Sequence, residues 1–385
     1  MAIRKIVSRS IGVDVIVASD IATGAIGIGE IANDAVTADK LANSVNASIA
    51  AKLPLVGGTM TGDLTVTNAT ATGVLSDPSG NVRAGRKNWI INGDFQISQR
   101  GAYSSATSIT SSSVYYLDRF KSKHNNISGT TVRQTNQTAN GKVTNTMMLT
   151  ATAGSNGRVE AVQVIEDEVF NSQTVTISAW VISNSASARL IIHQNGANIQ
   201  TSSNAHTGGG AYELLKATVT CASNAGQLHI YTGIQAAGTG NVAIANGDYF
   251  KMAFLQLELG SVATDFEHRS YQEELLLCEW YFKKWLRSDS RMTDSATVAT
   301  YTGIAKGVNE AFIYMPFNMR VIPTSSYNDV ALHDAVGSVI DAVGSNARNA
   351  MGSFRIIVPN GLTTGDIVYL RFKSSASFMQ FDAEL

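Results

Sequence analysis

The stretch Val175-Thr-Ile-Ser-Ala-Trp-Val181 has apolar side chains at its odd positions and, apart from Trp180, hydroxyl side chains at its even positions. Successive side chains of a strand point to opposite faces, so this period of two predicts a half-buried strand. Strands of this kind pack as two stacked antiparallel sheets. Similar β-rich stretches predict further strands at 143–149, 190–193, 212–219, 228–234 and 249–259.

The composition also favours a mainly β protein. Only 15% of the 385 residues are charged, whereas Gly numbers 33 and Pro only 5, which suits many short strands joined by turns. Lys and Arg (29) nearly balance Asp and Glu (30), so we expect no nucleic-acid partner. We expect no membrane insertion either, because no apolar run approaches the ~20 residues of a span. Cys221 and Cys278 are too few for a disulfide framework and are interpreted as buried thiols.

Residues 1–55 contain too few large side chains to form a core within one chain. A weak ten-residue repeat runs through 21–41, and Leu41, Val45 and Ile49 then follow four apart on one face of a short helix. Such a narrow apolar stripe packs readily against copies of itself. We therefore predict a homotrimeric shaft with these three residues at the interface; a short helix lying on a neighbouring domain is the alternative.

Several stretches resemble bacteriophage tail fibres. Leu53-Pro-Leu-Val-Gly-Gly-Thr-Met-Thr-Gly-Asp-Leu-Thr-Val66 resembles a recurrent fibre segment, which implies a small trimeric β element. Asn88-Trp-Ile-Ile-Asn-Gly-Asp-Phe-Gln-Ile-Ser-Gln-Arg-Gly101 resembles the opening of a jelly-roll domain that is common in these proteins. The stretch 256–271 resembles the end of the same domain, and 311–324 resembles a C-terminal β-sandwich of phage fibres. A jelly-roll of this type is also similar to carbohydrate-binding modules, which implies glycan binding.

The predicted organisation is elongated and mainly β. Residues 1–55 attach the trimer to the tail and form the shaft, and 56–87 form the small β element and a linker. Residues 88–269 form the jelly-roll, and 289–385 form a C-terminal β-sandwich tip, with strands expected at 298–304, 311–315, 354–358, 367–372 and 378–381.

One amphipathic helix is expected at 270–288, wedged between the jelly-roll and the tip or against symmetry mates. Ser270 and Glu273 form a capping box at its start. Its apolar residues recur at helical spacing: Tyr271, Leu275, Cys278, Phe282 and Trp285.

The sequence offers no catalytic constellation. No nucleophile elbow, P-loop or dinucleotide-binding turn occurs, and the six histidines lack metal-site spacing, although His193 and His229 could face each other across strands. The acidic run Glu166-Asp-Glu168 is interpreted as a solvated loop, with a Ca²⁺ ligand cluster or a catalytic pair as alternatives. We therefore expect a protein that is not an enzyme and has no cofactor and no metal.

Glycan binding needs exposed aromatic rings near amides or carboxylates. The candidate residues are Tyr115, Tyr116, Tyr301, Tyr327, Asn328 and Asp329, whose tyrosines have packing in the core as the alternative.

The function predicted from these features is that of a structural tail fibre in a phage virion, assembled in the host cytoplasm, that adheres to host-surface polysaccharide. Its expected partners are two identical chains and baseplate or tail proteins bound through the N-terminal segment. A purely structural baseplate or collar component is the first alternative, and a polysaccharide depolymerase is the second.

Overall fold

The computed structural model divides the chain into two compact units, Met1–Gly73 and Val74–Leu385. It describes residues 17–25, 87–109, 114–166, 168–286, 301–315, 318–334, 339–347, 352–374 and 376–384. The first unit contains a 3-10 helix, Ala18–Asp20. The predicted shaft residues Leu41, Val45 and Ile49 and the small β element lie outside the described residues. Within the described ranges, every helix falls short of the length and apolar character that a membrane span requires.

The first thirteen strands form two antiparallel sheets, as the alternating sequence predicts. Their bounds are β1 Thr107–Ile109, β2 Val114–Leu117, β3 Phe120–Asn125, β4 Gly129–Ala139, β5 Lys142–Ala151, β6 Ser155–Ile165, β7 Thr174–Ser183, β8 Ala188–Gln194, β9 Ile199–Ser202, β10 Glu213–Thr220, β11 Leu228–Ile234, β12 Val242–Ile244 and β13 Tyr249–Leu259. The first sheet has the order β1–β4–β5–β13–β7–β10. The second has the order β2–β3–β6–β11–β8–β9, with β12 also paired to β6.

The two sheets enclose one apolar core, and we call this pair of sheets the first sandwich. Alternate residues of the central strands point inward, among them Ile177 of β7, Ile192 of β8 and Ile230 of β11, all of them fully buried. Burial of such side chains contributes roughly 1.5–3 kcal/mol each. A 3-10 helix, Glu168–Phe170, adds the buried ring of Phe170.

The helix α1 spans Tyr271–Glu279, and the expected capping at Ser270 is confirmed. The Glu273 amide donates to Ser270 Oγ at 3.3 Å. The predicted extension to residue 288 is wrong, since 282–286 form a strand. The helix packs on the first sandwich through Glu274, whose carboxylate accepts a hydrogen bond from the Asn92 amide.

The remaining strands form two further sheets, and we call them the second sandwich. Their bounds are β14 Phe282–Leu286, β15 Tyr301–Gly307, β16 Glu310–Tyr314, β17 Thr324–Asn328, β18 Val330–Asp334, β19 Val339–Asp341, β20 Gly344–Ala347, β21 Ser353–Ile357, β22 Ile367–Phe372 and β23 Phe378–Asp382. The third sheet has the order β14–β23–β17, and the fourth β19–β18–β22–β15–β16–β21–β20. Apolar side chains of both sheets share one core, which includes Trp285, Phe354 and Phe381.

Strand β14 explains why the helix ends early. Its backbone pairs with β23, with Phe282 opposite Asp382 and Trp285 opposite Met379. Both aromatic residues are buried, as helical spacing also predicted, but they are buried from a strand. The pairing with the distant C-terminal strand satisfies the backbone groups that a longer helix would have satisfied internally.

Ion pairs join the two sandwiches. Arg119 pairs with Glu384, and Arg320 Nη2 lies 2.7 Å from Glu166 Oε2. Glu166, the first residue of the predicted solvated loop, follows β6 and is 26% exposed, and its carboxylate is paired with a guanidinium of the second sandwich.

Candidate functional site

The outer face of the second sheet carries side chains in rows that cross its strands. Residues opposite each other on paired strands share a face, and their alternate neighbours point into the core. We call the three central rows the second-sheet face. The first row is Tyr115, Lys121, Val162, Tyr231, Ile191 and Ser202; the second is Lys123, Glu160, Gly233 and Arg189; the third is Val164, His229, His193 and Gln200.

Three rings lie at the centre of this face. The ring centroids of His193 and His229 are 5.7 Å apart, and that of Tyr231 lies 6.1 Å from His193 and 6.3 Å from His229. These separations are typical of packed aromatic pairs. The prediction that the two histidines face each other across strands is confirmed. The planes of the two imidazoles are 77° apart, and the Tyr231 ring is only 6% exposed. The partly exposed imidazoles are therefore the aromatic surface of this cluster that a sugar ring can contact, and we call the three rings together the platform.

The charges on and beside this face are mostly positive. Lys121 and Lys123 come from β3, Arg189 comes from β8, and Arg158 lies two residues before Glu160 on β6. Glu160 is the one carboxylate among the described residues of the face. The face is therefore net positive, although the whole chain has a formal net charge of −1.

Both lysines lie near aromatic rings. Lys123 Nζ is 5.4 Å from the ring centroid of Tyr231, and Lys121 Nζ is 5.7 Å from that of Tyr115. These distances are within the range of cation–π attraction. The ammonium group of Lys123 is thus held beside Tyr231 of the platform, and that of Lys121 beside Tyr115.

Glu160 is a buried carboxylate that has no hydrogen-bond donor among the described residues. Its side chain is 0% exposed, and neither of its oxygens accepts a hydrogen bond from any described residue. Arg158 Nε lies 3.3 Å from Oε1, an ion-pair contact that does not have hydrogen-bond geometry. Burial raises the pKa of Glu160 to about 7, against the opposing effects of Arg158 and Lys123. Near neutral pH this group can both accept and donate a proton.

The two histidines have ring nitrogens left to bond. Nδ1 of His193 and Nε2 of His229 are buried and find no hydrogen-bond partner within the described part of the chain. Burial, His193 and the nearby lysines together lower the pKa of His229 to about 4, so this ring is neutral at pH 7. A neutral imidazole provides one donor and one acceptor. The described ranges contain no group of three or more His, Cys, Asp or Glu placed to hold a metal ion.

The loop between β11 and β12 covers part of the face, since it contacts Ser202 of the first row and Gln200 of the third. The Thr239 carbonyl oxygen accepts a hydrogen bond from the Arg158 guanidinium, and the Thr239 hydroxyl lies 3.2 Å from Gln200 Oε1. The Gly238 amide donates to Ser202 Oγ at 3.2 Å. Because Arg158 and Ser202 lie on strands on either side of β11 and β8, the loop crosses the outer side of both.

The outer face of the first sheet is organised differently. Segment 263–268 folds onto it, and the rings of Phe254 and Phe266 pack with centroids 5.2 Å apart. The carboxylate of Glu258 accepts hydrogen bonds from the Thr264 amide at 2.8 Å and from Gln256 Nε2 at 3.0 Å. A cavity of about 100 Å³ is left there.

A larger groove of about 650 Å³ lies where α1 meets the first sandwich, and Trp280 and Tyr281 contribute to its walls. Its cations have partners within the protein. Arg119 lies over the Tyr281 ring, 3.3 Å from the centroid, and pairs with Glu384. Arg269 pairs with a carboxylate of α1 at 3.2 Å. These contacts describe a structural junction.

Of the predicted glycan-binding residues, Tyr115 lies in the first row of the second-sheet face. Tyr116, its neighbour, points the other way, packs against the core of the first sandwich and donates its hydroxyl to the Ser108 carbonyl at 3.2 Å.

The other four predicted residues belong to the second sandwich. Tyr301 and Tyr327 pack against its core, as the alternative interpretation has it. Asn328 is exposed, and Asp329 forms an ion pair with Lys373 at 3.6 Å. Their contact with a glycan stays a prediction.

Sequence reasoning missed Lys123, Glu160 and Tyr231. The alternation of Lys121 and Lys123 was a usable signal, because it places both cations on one face of a strand. The contribution of Glu160 and Tyr231 depends on the order of strands β3, β6 and β11, which local sequence does not reveal.

No protein-family model matches the chain, and no curated protein matches its sequence. Several solved structures are partly similar to this chain. A tailspike domain of Bacteriophage CBA120, described as enzymatically active, is 12% identical over 45% of this chain and 21% of that chain, with a TM-score of 0.31.

Carbohydrate-binding modules give similar values. A module solved with β-1,4-galactotriose is 12% identical over 46% of this chain and 100% of its own, with a TM-score of 0.24. A tandem module from Paenibacillus barcinonensis is 14% identical over 78% of this chain and 98% of its own, with a TM-score of 0.28. Superpositions this loose do not transfer a binding site to this chain.

Proposed function

We propose that this protein binds glycans through the second-sheet face. The observation that carries the proposal is the convergence of an aromatic platform, formed by His193, His229 and Tyr231, with buried polar atoms that have no partner among the described residues. A sugar offers both an apolar ring face for stacking and hydroxyl groups that donate and accept hydrogen bonds. It would satisfy polar atoms that otherwise carry a desolvation cost.

We further propose that the binding serves adhesion by a bacteriophage tail fibre. This part rests on the sequence resemblance over 53–66, 88–101, 249–285 and 311–324. A trimer held by Leu41, Val45 and Ile49 would present three weak sites at once and raise the avidity for a polysaccharide surface. Light scattering of the purified chain should give the mass of three chains, and a stable monomer would contradict this part.

The proposed mechanism is binding without catalysis. A depolymerase would shorten a bound polysaccharide, so an unchanged polymer size after incubation is the expected result. A purely structural baseplate or collar role would be favoured if the chain bound no glycan and no susceptible cell.

The direct test compares two histidine variants of the full chain with the wild type on a glycan array and on whole cells. His193→Ala removes part of the platform and should weaken binding about fivefold, since one aromatic contact contributes about 1 kcal/mol. His333→Ala, on β18 of the second sandwich, is the matched control and should bind as the wild type does. Equal binding by all three proteins would place the site elsewhere.

A further inference from the structure

The second-sheet face has more positive charge than a neutral sugar needs. Lys121, Lys123, Arg158 and Arg189 stand against the single carboxylate of Glu160. Two of the loops beside it, 195–204 and 235–241, contain neither Asp nor Glu, and the carboxylate of Glu166, which follows β6, is paired with Arg320 at 2.7 Å. The excess is local, since the chain as a whole has one acidic residue more than it has basic ones.

Lys123 is the cation best placed to meet a ligand. It forms no ion pair with any residue that the structure describes, and its half-buried side chain lies beside the Tyr231 ring. A sugar ring placed against the partly exposed imidazoles of His193 and His229 would therefore bring its substituents close to this ammonium group, which lies near enough to His229 to affect its charge. Burial near apolar surface makes such a charge pair stronger than a fully solvated one.

We propose that the glycan recognised by this face is anionic, with a carboxylate or phosphate group bound beside Lys123 and Lys121 while the sugar ring lies on the platform. This inference rests on the proposed function. A neutral glycan would use the rings but gain little from the cations, whereas an anionic glycan uses both. The raised pKa of Glu160 is consistent with an anionic ligand, because protonation of this carboxyl removes the one like charge on the face.

A nucleic acid also combines rings with anions, but the face favours it less. Its phosphate backbone would extend beyond a patch of this size onto the rest of the surface. The chain has a net charge of −1, so the rest of the surface has no excess of positive charge to attract further phosphates. Single-stranded DNA is therefore a competitor in the test.

The test measures binding of the full chain to polygalacturonate, phosphomannan and neutral dextran. Binding to polygalacturonate alone would identify the carboxylate as the recognised group, binding to phosphomannan alone would identify the phosphate, and binding to both would identify the negative charge itself. Binding to either anionic polymer is expected to weaken when the salt concentration rises from about 50 mM to about 500 mM, because salt screens the lysine charges.

Lysine variants locate the charge. Lys123→Gln should weaken binding to the anionic polymer about fivefold, and the double variant Lys121→Gln/Lys123→Gln about 20-fold. Lys216→Gln, an exposed lysine on β10 of the first sheet, is the matched control and should have no effect. Circular dichroism of each variant checks that it is folded.

Three results would overturn the inference: binding to dextran but to neither anionic polymer, equal weakening by Lys216→Gln, or complete displacement by single-stranded DNA at equal charge concentration. The first leaves the proposed glycan binding intact and removes only the anionic class. Absence of binding to every glycan and every susceptible cell would instead contradict the proposed function itself.

Discussion

Glu258 on the first sheet and Glu160 on the second are both buried carboxylates on the outer face of the first sandwich, yet their surroundings differ. Glu258 accepts hydrogen bonds from Thr264 and Gln256, in a face covered by segment 263–268. Glu160 has no donor among the described residues and lies beside lysines and aromatic rings.

This difference is the ground on which we propose a structural role for the first-sheet face and a binding role for the second-sheet face. Buried polar groups in folded proteins are normally satisfied, and Glu258 follows this rule. An unsatisfied buried carboxylate costs free energy, so its presence is better explained by a partner that arrives later. In our proposal the first-sheet face is complete in itself, whereas a ligand completes the second-sheet face.

The largest expected effect concerns pH and Glu160. Its pKa is raised from 4.5 to about 7 in the fold, so its contribution to stability is fully present below the unfolded pKa and is lost as pH rises through about 7. The difference between the two pKa values corresponds to about 3 kcal/mol. Urea unfolding of wild type and Glu160→Gln between about pH 5 and pH 8 measures it.

Glu160→Gln is the necessary reference, because it retains His229, whose titration changes stability in the opposite direction. The lowered pKa of His229 reduces the stability of both proteins as pH falls below 6.5, so the difference between them reports Glu160 alone. The charged groups around Glu160 are Arg158, Lys123 and Arg189. Glu160→Gln should match the wild type near pH 5 and exceed it near pH 8. Two unfolding curves that stay parallel across this range would contradict the account.

A smaller effect is expected for Glu258→Gln. The Gln amide has one acceptor oxygen where the carboxylate has two, so it cannot also accept the hydrogen bond that the Thr264 hydroxyl donates to Oε2. It also loses the charge that strengthens the bonds to Oε1, so we expect a loss of about 2 kcal/mol at pH 7, measured by urea unfolding. Glu160→Gln at the same pH is the control, since it removes no hydrogen bond. A smaller loss for Glu258→Gln than for Glu160→Gln would erase the distinction between the two faces.

The strands of the first sandwich could be predicted from the sequence because their signal is local. Alternation in 175–181 reports which side chains face the core, and β-rich composition marks 228–234; the structure has strands at both places. The helix was predicted too long for the same reason. Phe282 and Trp285 have helical spacing, but they form a strand because they pair with β23, which lies almost 100 residues later in the chain.

The candidate site was predictable only in part. His193 and His229 could be paired from two neighbouring strands, and Tyr115 was selected by composition. The row Lys123, Glu160, Gly233 and Arg189 is contributed by four strands that are distant in sequence. Their meeting depends on sheet order and register, which one sequence does not specify.

The six histidines allow a direct measurement of where a glycan binds. His193 and His229 lie on the second-sheet face, His268 packs at the first-sheet face, and His333 lies in the second sandwich. Imidazole NMR signals followed during titration with the anionic polymer that binds should shift for His193 and His229 and stay unchanged for His268 and His333. Shifts at His268 or His333 with constant signals from His193 and His229 would contradict the central claim that the second-sheet face is the binding site.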